Sequence, residues 1–147
     1  MLKPTLFYRA AGTFSVLFTG GHLFAFLKFK PPTADAVALR AAMDTTRFQV
    51  GSHSYSFGGF YVGAGLYVAG SMLLVAALAF WLGQRVRKDP AFVRAPTAFL
   101  LLFELWGLAL CWQFFSSAPL IFSALIVACL ACAFWTAERQ RGASLPV

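Results

Sequence analysis

The chain has 147 residues, of which 60% are hydrophobic, 17% aromatic and only 12% charged. The charged share is about half that of an ordinary soluble domain, so the composition excludes a soluble enzyme, a disordered segment and, with only 3 cysteines, a disulfide scaffold. The net charge of +7 comes from Lys and Arg between apolar runs, where they orient a membrane protein, and we expect no nucleic-acid partner.

Four segments are long and apolar enough to cross a membrane as helices. A span needs roughly 20 largely apolar residues, because hydrocarbon about 30 Å thick is crossed at about 1.5 Å per residue. The sequence predicts an all-α transmembrane four-helix bundle, a single domain over residues 1–147, with spans at about 6–27, 60–82, 95–115 and 119–137. The first run lacks a small-residue cleavage pattern, which favours a retained anchor over a signal peptide.

The first span carries a stripe of polar and small residues. Helical spacing aligns five of them: Tyr8, Gly12, Ser15, Thr19 and His22. Alternating steps of three and four keep such a stripe facing the same neighbours, so we expect it to face the bundle interior. His22 is the only histidine within a span. A simple hydrogen bond, to Tyr67 or Gln113, is favoured over proton relay or metal binding.

The connection between the first and second spans is long for a helical bundle, and such connections usually carry structure or function. Pro31, Pro32 and Thr33 end one helix and cap the next. The sequence therefore predicts a short interfacial helix at residues 34–43. Residues 48–59 are rich in Gly, Ser and aromatics, which indicates a loop folded over the mouth of the bundle.

The second span combines glycines with a tyrosine. Gly59, Gly63 and Gly70 recur with Tyr67 between them. Small residues let helix backbones approach closely in a membrane, so we expect these glycines to serve packing. Tyr67 and Ser71, together with Ser15 and His22 of the first span, are candidates for binding a ligand or a proton.

Glu104 is the only acidic residue within a predicted span. An ionised carboxylate facing lipid would cost several kcal/mol, so Glu104 turns inward or stays protonated. Two roles stay open: a proton donor, acceptor or ligand anchor, and a neutral acid hydrogen-bonded to Ser15 or Ser71. Counting residues along each span places Ser15, Ser71, Glu104 and Cys129 near one depth, with His22 roughly 10 Å nearer the outer surface.

The connections set the arrangement and orientation of the helices. Residues 116–118 alone separate the third and fourth spans, so these helices are antiparallel neighbours. Residues 83–94 hold four basic side chains against one acid, Asp89. This bias predicts a cytoplasmic connection, and hence cytoplasmic N- and C-termini, in a bacterial inner membrane.

Motifs for catalysis are few. Cys129 and Cys132 form a C-x-x-C motif that resembles the redox pair of quinone-linked four-helix oxidoreductases similar to vitamin K epoxide reductase. Both sulfurs lie within an apolar helix, however, which favours packing. The sequence has no H-E-x-x-H, G-x-S-x-G, P-loop, dinucleotide fingerprint or paired-carboxylate motif, and its scattered His and Cys predict no metal site.

Three stretches resemble a family. They are residues 21–23 (Gly-His-Leu), the run from 48–52 to 59–63 (Gly-Phe-Tyr-Val-Gly), and residues 122–126 (Phe-Ser-Ala-Leu-Ile). In these stretches the chain is similar to an uncharacterised family of short bacterial four-span integral membrane proteins with no assigned activity. The resemblance implies a four-helix membrane bundle with the same loop lengths.

Three functional classes stay open. The first is a non-catalytic accessory or structural subunit, within a larger complex or homo-oligomer, or a lipid-binding bundle. The second is a membrane enzyme acting on an apolar lipid, isoprenoid or quinone, with Glu104 as acid or base and His22 or Tyr67 assisting. The third is a proton or solute conductor formed as an oligomer. No cofactor is predicted, although a bound lipid or quinone is compatible with the bundle.

Overall fold

The computed structural model describes residues 3–28 and 30–143, with side chains as far as Arg139. The helices are α1 (Pro4–Lys28), α2 (Ala34–Thr45), α3 (Phe57–Arg85), α4 (Arg94–Phe114) and α5 (Ser117–Ala143), and a hairpin of β1 (Arg47–Val50) and β2 (His53–Ser56) precedes α3. Within these described residues, four helices are long and apolar enough to cross a membrane: α1, α3, α4 and the Ser117–Arg139 part of α5. The protein is therefore a helical, multi-pass membrane protein.

Residue contacts divide the chain into two compact units. The first unit comprises residues 1–19 and 72–147, and the second comprises residues 20–71. Helices α1 and α3 contribute to both. The ends of the predicted spans lie within about three residues of the ends of these helices, except at the end of α5. Helix α5 continues beyond residue 137 to Ala143, because a helix does not have to stop where its apolar segment stops.

The core of the first unit is built from buried side chains at steps of three and four residues. On α1, four of the five residues of the predicted stripe are buried, namely Tyr8, Gly12, Ser15 and Thr19, whereas the fifth, His22, is half-buried. On α5 the buried residues are Ser123, Ile126, Leu130, Ala133 and Ala137. This spacing is the one by which nearly aligned helices interlock their side chains, and α4 and α5 pack along each other as predicted.

Two glycines allow close contact between α1 and α3 in the first unit. A Cβ atom added at Gly12 would lie 2.9 Å from Cζ of Phe80, and one added at Gly83 would lie 2.9 Å from Cβ of Tyr8. Residue numbers rise on α1 as they fall on α3, so these helix segments are antiparallel. Neither glycine could carry a side chain without moving its neighbour.

The glycines predicted to pack on α3 have a different environment. Gly59, Gly63 and Gly70 are exposed, and in the described chain no heavy atom lies within 4 Å of a Cβ added at Gly63 or Gly70. The close contact falls at Gly65, where an added Cβ would lie 2.7 Å from Phe26. Residues two apart lie on nearly opposite sides of a helix. A packing role for the predicted glycines therefore stays a prediction.

The second unit contains the predicted short helix as α2. Its N-cap, Thr33, accepts a hydrogen bond from the Ala36 amide at 3.2 Å, and Arg40 pairs with Asp44 one turn later at 3.3 Å. A location of α2 at a membrane interface stays a prediction.

The predicted loop over residues 48–59 is wrong, because residues 47–56 form a β-hairpin. The strands are antiparallel, with Phe48 opposite Tyr55 and Val50 opposite His53. Gly51 occupies the first position of the two-residue turn with φ of 60°, a conformation that glycine adopts without strain. Phe48 packs on Tyr55 and, at 4.9 Å between ring centroids, on Phe57 of α3.

Candidate functional site

Helix α4 carries three buried polar side chains at intervals of seven residues. They are Thr97, Glu104 and Cys111. Seven residues are about two helical turns, or roughly 10.5 Å, so the three side chains lie on one face at three depths. This face points into the core of the first unit.

The two outer depths hold polar pairs. Thr97 Oγ1 donates to the Val93 carbonyl at 2.6 Å, so the hydroxyl of Tyr8, 2.6 Å away, donates to Thr97. At the other end, Cys111 Sγ lies 3.5 Å from Ser123 Oγ of α5. Each buried hydroxyl or thiol at these depths therefore has a partner on another helix.

The middle depth holds Glu104, and its carboxyl group is incompletely paired. The residue is 1% exposed, and Oε1 has no hydrogen-bond partner in the part of the chain that the structure describes. A buried polar atom without a partner costs about 1–3 kcal/mol. Glu104 is thus the one energetically unfavourable position on this face of α4.

Ser15 lies at the depth of Glu104. Helices α1 and α4 run in the same direction, because Tyr8 bonds to Thr97 near the start of both. Further along α1, Phe18 packs on Phe122, whose neighbour Ser123 contacts Cys111 near the end of α4. Ser15 follows Tyr8 by seven residues, as Glu104 follows Thr97. Ser15 Oγ donates to the Ala11 carbonyl at 2.9 Å. The predicted proximity in depth is present, but the Ser15 hydroxyl donates its proton within its own helix.

His22 lies in the second unit and is half-buried. Its Nε2 donates to the Gly65 carbonyl of α3 at 3.0 Å, and its ring stacks on Phe26 with centroids 5.8 Å apart. The observed bond is the simple kind that the sequence favoured. Its acceptor, a main-chain carbonyl, has no sequence signal and was missed.

Tyr67 and Ser71 also lie in the second unit. The Tyr67 side chain is 78% exposed, and Ser71 Oγ donates to the Tyr67 carbonyl at 2.9 Å. The Ser71 hydroxyl is therefore used within α3, and the Tyr67 ring contributes to an outer surface.

The cysteines form no bonded pair, since Cys111, Cys129 and Cys132 are free. Cys132 is exposed and Cys129 half-buried, so the predicted packing role fits Cys129 better than Cys132. Among residues 3–28 and 30–143, no group of three His, Cys, Asp or Glu side chains could hold a metal ion.

No family model, characterised protein or solved structure matches the chain significantly. The resemblance to bacterial four-span proteins therefore stays a prediction.

Proposed function

We propose that this protein is a non-catalytic membrane subunit, a helical bundle that packs against lipids and against helices of a larger complex or of a second copy. The observation that carries the proposal is the enclosure of Glu104. At 1% exposure, its side chain presents almost no surface to a substrate, whereas a general acid or base must reach the proton it transfers directly or through one water.

The hydroxyl groups of the spans support this proposal. Ser15, Thr19, Ser71 and Thr136 each donate to a carbonyl four residues earlier in the same helix, at 2.7–2.9 Å. None of these hydroxyls contacts a base that could activate it as a nucleophile. They satisfy the polar groups of the helices rather than forming a reactive site.

The outer surface supports it as well. Large aromatic side chains are widely exposed, including Phe24 at 70%, Phe99 at 72% and Trp112 at 77%. In water such a surface would drive association, whereas in a membrane it meets lipid tails and neighbouring helices. The open glycines Gly63 and Gly70 add a face that another helix can approach closely.

The proposal includes a bacterial inner membrane with both termini and residues 86–93 in the cytoplasm. In the first unit, the basic residues cluster near α1's start and beside the α3–α4 connection: Lys3, Arg9, Arg85, Arg87, Lys88, Arg94 and Arg139. Residues 105–137, which form the rest of α4 and most of α5, contain no charged residue. The positive-inside bias then supports a cytoplasmic location for the basic end.

Native mass spectrometry of the protein, extracted gently from its own membrane, tests the proposal. We expect a co-purifying membrane protein or a second copy, together with lipid. The variant Gly63→Leu should reduce the bound partner, because the added side chain fills the open glycine face. Gly20→Leu is the matched control at another exposed glycine with open space. A lipid-free monomer without partners would contradict the proposal.

A second candidate is proton conduction or acid–base chemistry on an apolar lipid, isoprenoid or quinone through Glu104. The unpartnered Oε1 atom favours it, because intramembrane carboxyls often mark proton paths. Proton flux into liposomes should be equal for wild type and Glu104→Gln under the subunit proposal. A flux that Glu104→Gln abolishes would establish the second candidate instead.

A further inference from the structure

An open cavity of about 530 Å³ lies beside the N-terminal end of α1, entirely within the first unit. Three cationic residues line it: Lys3, Arg9 and Arg87. The other lining residues include Pro4, Leu6 and Val86. The cavity therefore combines a strongly basic rim with apolar walls.

The three cations have no acidic partner in the described residues. Of the other acids in the first unit, Glu138 pairs with Arg94 at 3.1 Å, and Asp89 accepts a hydrogen bond from the Phe92 amide at 3.0 Å. Glu104 lies buried in the core. Like charges that converge on a concave surface repel one another and concentrate a positive potential there. An anion bound in the cavity relieves that repulsion.

The donor set points to phosphate. Guanidinium groups bind phosphate oxygens through paired hydrogen bonds and an ammonium group adds a point charge, so two arginines and a lysine suit a phosphate group. The apolar walls suit an amphiphile over a bare ion. The cavity also lies at the end where the proposed orientation places the anionic cytoplasmic leaflet.

We propose that this cavity binds the phosphate group of an anionic phospholipid through Lys3, Arg9 and Arg87. The choice of a lipid rests on the proposed membrane subunit and its orientation, whereas the phosphate chemistry rests on the cavity alone. Free inorganic phosphate shares that chemistry and is the alternative source.

Paired double variants test the site. Arg9→Gln with Arg87→Gln removes two charges from the cavity. Lys88→Gln with Arg139→Gln removes two charges from the same end without touching the lining residues, so the change in net charge is matched. Binding of phosphatidylglycerol, phosphatidylethanolamine and inorganic phosphate to purified full-length protein is measured by native mass spectrometry, with thermal unfolding as the folding control.

We expect phosphatidylglycerol to bind the wild type more tightly than phosphatidylethanolamine, and the cavity variant to bind it about tenfold more weakly. The control variant should stay within about twofold. Competition by millimolar inorganic phosphate, also lost in the cavity variant, would support the site with free phosphate as its ligand.

Equal losses in the two double variants would overturn the site, because they would show only a general surface potential. A wild type that binds neither phosphatidylglycerol nor phosphate would overturn it too. In both cases partner proteins and neutral lipids could still be retained, so this failure is distinguishable from failure of the subunit proposal.

Discussion

Burial of a polar side chain costs free energy, which a hydrogen-bond partner offsets. One face of α4 carries both a buried polar side chain with a partner and one that lacks a partner for one of its oxygens. Thr97 is fully buried and bonded to Tyr8 at 2.6 Å. Glu104, two turns further on, is as deeply buried, yet its Oε1 atom has no partner among the described residues. The same change, from polar to apolar, should therefore have opposite effects at the two positions.

At the middle depth, Glu104→Leu should stabilise the protein by about 1–3 kcal/mol, since it removes a buried oxygen that has no partner. Glu104→Gln keeps the polar group and should leave stability nearly unchanged. The midpoint of unfolding by a denaturing detergent, read by circular dichroism, measures both. A loss of stability in Glu104→Leu would show that a ligand or partner pairs with the carboxyl group.

At the depth of Thr97, the variant Thr97→Val should destabilise the protein by about 1–3 kcal/mol. Valine keeps the shape of the side chain but leaves the buried Tyr8 hydroxyl without its acceptor. The same unfolding measurement applies. Adding Tyr8→Phe to Thr97→Val should recover part of the loss, since no buried hydroxyl then remains unpaired. Additive losses in the double variant would argue against the Tyr8–Thr97 bond.

At the scale of elements, hydrophobic length and periodicity predict the four long helices and the buried stripe of α1. The Gly, Ser and aromatic content of residues 48–59 indicates a loop, whereas Gly51-Ser52 between short alternating runs is the signal that predicts the hairpin. The sequence also does not predict how α3 is rotated about its own axis. Spacing places Gly63 and Gly70 on a shared face, but it does not say that α3 turns Gly65 toward Phe26 instead.

Because α1 and α3 are in close contact, replacing two different glycines by alanine should change the stability of the protein in opposite directions. Gly83→Ala should destabilise the first unit by about 1–3 kcal/mol, because its Cβ would lie 2.9 Å from Cβ of Tyr8. Gly107→Ala on α4 meets no atom within 4 Å in the described chain, and it should stabilise by about 0.5–1 kcal/mol through helix propensity. Detergent unfolding of the two variants checks the difference, and equal effects would contradict the α1–α3 contact.

The turn of the hairpin predicts a local effect. Gly51→Ala places a side chain on a residue with φ of 60°, which costs about 1 kcal/mol. Hydrogen exchange of the amides in residues 47–56 should then become about fivefold faster, while Ser52→Ala, at the neighbouring turn position, leaves it unchanged. Unchanged exchange in Gly51→Ala would mean that the strands do not depend on this turn.

At the scale of the whole molecule, the proposed orientation depends on where the basic residues lie along the chain. Eight of the 12 basic residues lie in residues 3–9, 85–94 and 139–141, and the other four lie in residues 28–47; the side chain of Arg141 is outside the described residues. The spans between these groups hold almost no charge. The proposed orientation therefore rests on the larger basic group, which the positive-inside bias favours on the cytoplasmic side.

Cysteine labelling in intact cells tests this orientation. With Cys111, Cys129 and Cys132 replaced by alanine, the proposed orientation predicts that Ser52→Cys in the hairpin turn reacts with a membrane-impermeant maleimide. Lys88→Cys should then react only after the membrane is opened. Both positions are exposed, so a difference in labelling reports the side of the membrane and not burial. The reverse pattern would place the basic end outside, and the cavity beside Lys3, Arg9 and Arg87 would then face away from the anionic cytoplasmic leaflet.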